Sequence, residues 1–164
     1  MKQDNQRQVF LAYMAGIFDG EGSVGISKTT RDKNHPNYNP RYSAYVSMVN
    51  TNKEVVELFR KEFTPQYQPI IEHQPPHTGY KTQYRWRTPG NQLVVRVLET
   101  LLPYLRIKKK RALLVIKYCK GKKIDGFKRN HGVPIMELRR RERYYRLLKT
   151  AATTKRRATV QVKR

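Results

Sequence analysis

Leu11-Ala-Tyr-Met-Ala-Gly-Ile-Phe-Asp-Gly-Glu-Gly-Ser23 decides how the rest of the chain is read. Residues 9–19 set large apolar side chains (Val9, Phe10, Leu11, Tyr13, Met14, Ile17, Phe18) among very small ones (Ala12, Ala15, Gly16), with no charge before Asp19. A helix apolar nearly all round is buried on every side, so this one is expected to meet its own core and something else besides. Gly16 and Gly20, four apart, leave a strip bare of side chains where a second helix can approach backbone to backbone. The run ends in two acids among glycines, Asp19-Gly20-Glu21-Gly22. Negative charge is unfavourable at a helix C-terminus, where the dipole is negative too, so these carboxylates need a cation, and a metal ion is one way to supply it. A buried helix stopped by a glycine-rich turn, with solvated acids, accounts for the same pattern.

The whole chain narrows the choice. Its 164 residues suffice for one domain with a real core, expected over 1–150 with a basic tail over 151–164. Lys and Arg number 35 against 12 Asp and Glu, a formal charge of +23. Such an excess repels itself unless a polyanion is near, and it points to nucleic acid, although a ribosomal protein or a membrane-surface binder would share it. The single Cys119 excludes an internal disulfide and suits a reducing compartment. No apolar stretch approaches membrane-spanning length and the polar start lacks a signal-peptide core, so a soluble, intracellular protein with no membrane partner is expected.

Outward from the motif, Ser23–Ser27 alternates, with Val24 and Ile26 on one face. Residues 28–40 read as a long polar loop. Arg41–Val49 alternates again, Tyr42, Ala44, Val46 and Met48 opposite Arg41, Ser43, Tyr45 and Ser47. Thr51-Asn-Lys-Glu54 has capping-box spacing and opens a helix through Phe63. Residues 66–73 and 80–88 predict a hairpin, with Thr82, Tyr84 and Trp86 on one face of its second arm. Asn91 is placed to cap a helix ended by Pro103. A further helix runs from about Lys108 to Gly121, and a last one from Pro134 with Ile135, Leu138, Tyr145 and Leu148 in one stripe. Its other side is basic (Arg139, Arg140, Arg141, Arg143), and a loosely ordered tail follows from Ala151. The order predicts an α+β fold: a four-stranded antiparallel sheet with helices on one face.

Such a sheet shows its second face to solvent or to a ligand. On the first two strands that face carries Ser27, Thr29, Arg41, Ser43, Tyr45 and Ser47; on the fourth it carries Lys81, Gln83, Arg85 and Arg87. In a chain of +23 this ribbon of donors suits the major groove of double-stranded DNA, where Arg reads guanine and Gln reads adenine. Arg31 and Lys33 in the loop are expected to hold phosphates. A register slip of one residue exchanges the two faces. His73-Gln-Pro-Pro-His77 has a metal-ligand spacing, but its two prolines preclude a helix that would align the pair.

Met14-Ala15-Gly16-Ile17-Phe18-Asp19-Gly20-Glu21-Gly22 resembles the motif of the LAGLIDADG homing endonucleases, with Met for the leading Leu and Glu for the final Asp. With the element order, the resemblance covers roughly residues 8–120. It implies that fold, with the motif helix at a dimer interface through Tyr13, Gly16, Ile17 and Gly20. One motif without a repeat implies a homodimer on a nearly palindromic target of about 20 base pairs, one helical turn per half-site. The implied activity is metal-dependent hydrolysis of one phosphodiester per strand, with Mg²⁺ as cofactor and Ca²⁺ or Mn²⁺ able to replace it in binding. Glu21 and the Gly20 carbonyl are the implied metal ligands, with Glu21 the catalytic acid. Lys108 matches the family's active-site lysine, and Asn50 a water-positioning residue that is commonly Gln. A lysine that merely binds phosphate and an asparagine that merely forms a turn explain these two positions as well. The alternative reading is a non-cleaving binder on the same scaffold, such as a maturase taking intron RNA on its basic last helix and tail.

Overall fold

A computed structural model describes residues 2–29, 39–66, 70–74, 79, 81–121 and 133–161, with 151–161 described by backbone alone. The elements are α1 (Lys2–Glu21), β1 (Ser23–Thr29), β2 (Arg41–Asn50), α2 (Lys53–Phe63), β3 (Ile71–His73), β4 (Gln83–Arg87), α3 (Asn91–Leu101), α4 (Lys109–Lys120) and α5 (Ile135–Gln161). This is the order expected from the sequence. The strands form one sheet in the order β1-β2-β4-β3, each neighbour antiparallel.

Pairing of Val24 with Val46 and of Met48 with Trp86 puts the apolar side chains of three strands on one face. That face is buried: Val24, Tyr42, Ala44, Val46, Met48 and Trp86 are at most 5% exposed. The helices cover it. Met14 and Phe18 come from α1, Phe59 and Phe63 from α2, Val97 and Leu98 from α3, Val115 and Tyr118 from α4, and Leu148 from α5. Trp86 lies between Phe59 (ring centroids 5.8 Å apart) and Phe63 (6.1 Å), and its indole N–H donates to Thr64 Oγ1 at 2.7 Å. A buried indole that found no acceptor would cost more than the ring contacts return.

Several local expectations are corrected. Asn52, not Thr51, caps α2, its Oδ1 accepting the Glu54 N–H at 2.9 Å. Gly90, not Asn91, is the cap residue of α3; its φ of 77° is a conformation only glycine adopts freely, and no side chain closes that helix end. α4 ends at Gly121 as expected, in a right-handed conformation, φ −82°. Of the first hairpin arm expected over 66–73, the described strand is Ile71–His73, and residues 67–69 lie outside the described residues. Beyond Arg87 the chain leaves the ladder, Thr88 holding Val46 through its backbone N–H (2.9 Å) and its hydroxyl. The helical backbone of α5 reaches Gln161, past the end expected at Ala151, because residues 135–161 contain no Gly or Pro and many Ala, Lys and Arg. Within α5, Leu138, Tyr145 and Leu148 face the core, but Ile135 is 62% exposed.

Candidate active site and nucleic-acid interface

Only Gly22 separates α1 from β1. Its N–H donates to the Phe18 carbonyl at 2.9 Å, and a Cβ on it would lie 2.0 Å from the Phe18 ring. The chain therefore turns tightly around a core aromatic ring, and the two acids flanking Gly20 part company.

Asp19 turns inward. Its Oδ2 accepts the N–H groups of Arg106 (2.6 Å) and Ile107 (3.0 Å), and its Oδ1 that of Lys108 (2.8 Å). Lys108 is the cap residue of α4, so Asp19 fastens the backbone that leads into α4 from 87 to 89 residues away. Burial alone pushes its carboxyl up, but the three backbone N–H donors, helped by the Lys108 charge, hold it below its ordinary value. Among the described residues this acid is structural: both of its oxygens are engaged.

Glu21 turns outward and is exposed. Its Oε2 accepts the Asn50 side-chain N–H, while Asn50 Oδ1 accepts the Asn52 N–H at 2.8 Å. The two bonds fix which way the Asn50 amide points. The Lys108 ammonium donates to the Asp19 carbonyl and lies 6.0 Å over the Phe18 ring. Glu21, Gly20, Asn50 and Lys108 thus meet at one end of α1. Among the described residues no three His, Cys, Asp or Glu gather in a metal-binding group. Among the described residues, this end of α1 offers the exposed Glu21 carboxylate, which accepts the Asn50 amide, and the Gly20 carbonyl, which at a helix end has no intrahelical partner. Those are hard oxygen donors of the kind Mg²⁺ takes, and they amount to part of a coordination sphere.

The same helix has an open flank. Val9 is 64% and Tyr13 57% exposed, and a Cβ built on Gly16 or Gly20 meets nothing within 4 Å. Ile17 is half-buried against the core. Positions 9, 13, 16 and 20 follow the spacing of one helix face.

The outer face of the sheet is set by register. Ser23, Ser47 and Arg87 form one row, Ser27 pairs with Ser43, and Thr29 with Arg41. Tyr45 lies opposite Gly25, and a Cβ there would come 3.1 Å from the Tyr45 hydroxyl, so glycine gives the ring its place. The Arg87 guanidinium sits 4.6 Å over that ring and reaches Ser27 Oγ at 3.5 Å. Ser47 is only 8% exposed, too enclosed to reach out as Arg41 and Gln83 do. Lys81 precedes β4 and is exposed outside the paired strand. Arg31, Lys33 and His77 lie outside the described residues. Two apolar neighbours were missed: Val49 and Ile71 flank Arg85 in one row. The parity of β2, continued by one step, already assigns Val49 to this face.

On α5 the expected all-basic side is reduced. Arg140 and Arg141 both bind Glu137, each at 2.7 Å, and Arg141 is 9% exposed. Glu142 ties α5 to the sheet through Lys28 (2.8 Å) and the Tyr42 hydroxyl, and also binds Arg146 (2.8 Å). Lys28, Tyr42 and Arg146, in that order of effect, pull its carboxyl down to about 2. Beside this tether Arg139, Arg143 and Arg146 line an open groove of about 610 Å³.

No family model matches the chain, and no curated protein does. Solved structures do. The archaeal intron-encoded homing endonuclease I-Vdi141I, complexed with DNA, matches 88% of this chain and 85% of its own at a TM-score of 0.63 and 15% identity. The homing endonuclease I-CvuI, in complex with the I-CreI target and Mg, matches 88% and 96% at 0.52 and 18%. The LAGLIDADG homing endonuclease I-GzeII, in complex with its DNA target, matches 67% and 35% at 0.51 and 14%. The architecture is therefore that of the LAGLIDADG homing endonucleases. Among the described residues no helix is long and apolar enough to cross a membrane.

Proposed function

We propose that two copies of this chain form a site-specific, Mg²⁺-dependent DNA endonuclease that cuts both strands of a nearly palindromic duplex. The observation that supports this reading most is the divergence of the two acids. Asp19 is consumed in holding the backbone that leads into α4, whereas Glu21 stands exposed beside the flank of α1 where Gly16 and Gly20 are bare. Packing that flank against its copy brings two Glu21 carboxylates and two Gly20 carbonyls together, completing a donor set that one chain supplies only in part. A cation held there would neutralise charge building on the scissile phosphate. Asn50, fixed between Glu21 and α2, is placed to orient a water. Lys108 brings positive charge to the same end of the helix, where developing phosphate charge is stabilised.

The outer sheet face enters the major groove. Gln83 and Arg85 read base edges, and Val49 and Ile71, on either side of Arg85, suit thymine methyl groups. The single cysteine, the buried Cys119, suits a reducing intracellular compartment. The test is incubation with Mg²⁺ and a randomised-duplex library. Wild type should select and cut a single class of near-palindromic site, leaving short 3′ overhangs. Glu21→Gln should bind the selected site within about threefold of wild type and cut nothing. Cutting that survives in Glu21→Gln, or binding lost together with cutting, rules out the role given to Glu21.

A further inference from the structure

Where β4 leaves the sheet after Arg87, it opens a notch of about 440 Å³ against the start of β2, lined by Arg41, Ser43, Arg87, Gly90, Asn91 and Arg141 among others. We propose that this notch is a binding site for a single phosphate group, separate from the Glu21 site and independent of whether Glu21 is catalytic. Arginines of three elements line it: Arg41 from β2, Arg87 from β4, whose guanidinium lies over Tyr45 and reaches Ser27, the pair partner of Ser43, and Arg141 from α5. Arg41 and Arg87 have no acid partner among the described residues. Arg141 is nine-tenths buried, and its one acid, Glu137, is shared with Arg140, so a positive charge there is left without its counterpart. Excess buried charge is unfavourable unless an anion answers it.

Backbone donors face the same space. Ladder pairing between β2 and β4 stops at Ser47–Arg87, so among the described residues no strand pairs with residues 42–44 on the edge away from β1; the Tyr42 carbonyl accepts the Tyr118 hydroxyl at 3.2 Å. The first turn of the 11-residue α3 opens into the notch behind Gly90 with no side-chain cap. Open first-turn N–H groups carry the positive end of the helix dipole. A doubly charged tetrahedral anion answers all of these at once, and a cluster of arginines favours phosphate over a carboxylate by its fork geometry. The phosphate can belong to a nucleic-acid backbone or be free in solution.

The test is an amide NMR titration of the full chain with inorganic phosphate at constant ionic strength. Saturable shifts confined to residues 42–44 and 90–93 are expected. Arg141→Met should weaken the affinity at least tenfold. Asn91→Asp is the second variant, because an acid in the first turn favours the helix and so folds at least as well; it should weaken phosphate at least tenfold while leaving the thermal midpoint equal or higher. A non-specific duplex should shift the same amides. If it also displaces inorganic phosphate, the notch holds a backbone phosphate. If phosphate still saturates beside the duplex, the occupant is the free anion. Shifts spread over the basic surface without saturation, or unchanged in Asn91→Asp, reduce the notch to an adventitious ion only and overturn the proposal.

Discussion

Gly16 and Gly22 stand six residues apart and belong to opposite worlds. At Gly22 an added Cβ would strike the Phe18 ring at 2.0 Å; at Gly16, as at Gly20, it would meet nothing within 4 Å. The inner side of this helix end is finished within one chain: Phe18 packed, Asp19 satisfied threefold, the lead into α4 held. The outer side carries two exposed apolar residues, two bare glycines and the exposed Glu21 carboxylate, which accepts the Asn50 amide. Glycine kept for close approach on one side has its neighbour in the fold. On the other, no described residue supplies one.

This contrast can be broken or sharpened by substitution. The largest effect on stability belongs to Asp19→Ala, which strands three N–H groups at the start of α4 and should cost about 3 kcal/mol or more, read by urea unfolding. Gly22→Ala, which forces a core ring to move, should cost about 2 kcal/mol in the same assay. A cost under half of that would mean the turn yields easily and the inner side is less finished than described. Acid should act next. Because the folded Glu142 carboxyl is held down to about 2 from an ordinary 4.5, its contribution is intact above pH 4.5 and is lost as pH falls toward 2. Asp19, also lowered, acts in the same direction. Carboxyl-carbon NMR should show Glu142 titrating near 2; a midpoint near 4.5 would remove the tether between α5 and the sheet. The smallest effect belongs to the outer side: Glu21→Gln should leave the unfolding midpoint within about 0.5 kcal/mol of wild type, since an exposed acid stabilises little.

Much of this was legible in the sequence, for reasons that show where such reading stops. Period-two alternation in Arg41–Val49 and residues 82–87 assigned both sheet faces correctly because a one-residue slip would bury arginines. That Asp19 and Glu21 would diverge follows from helical geometry, since residues two apart do not share a face. Which acid turned inward was supplied by the resemblance, not by the residues. Asp19's partners lie 87 to 89 positions away, and no local pattern announces a fastening delivered from another helix. The same limit hid Arg141. In a run of arginines on α5 it looks like its neighbours, and only Glu137 and the packing of α5 on the core bury it. Local cap rules failed at Thr51 and Asn91 by a single residue, the scale on which helix ends are decided by competing neighbours.

The claim on which the account rests is that the bare flank of α1 is filled by a second copy. Sedimentation equilibrium of the purified chain and of Gly16→Leu measures this directly, because a leucine at position 16 has room in the monomer and none in a backbone-to-backbone helix pair. Wild type should sediment at twice the 19.5 kDa of one chain, and Gly16→Leu at 19.5 kDa with its unfolding midpoint preserved. A monomeric wild type, or a Gly16→Leu variant that still forms the dimer, would contradict it.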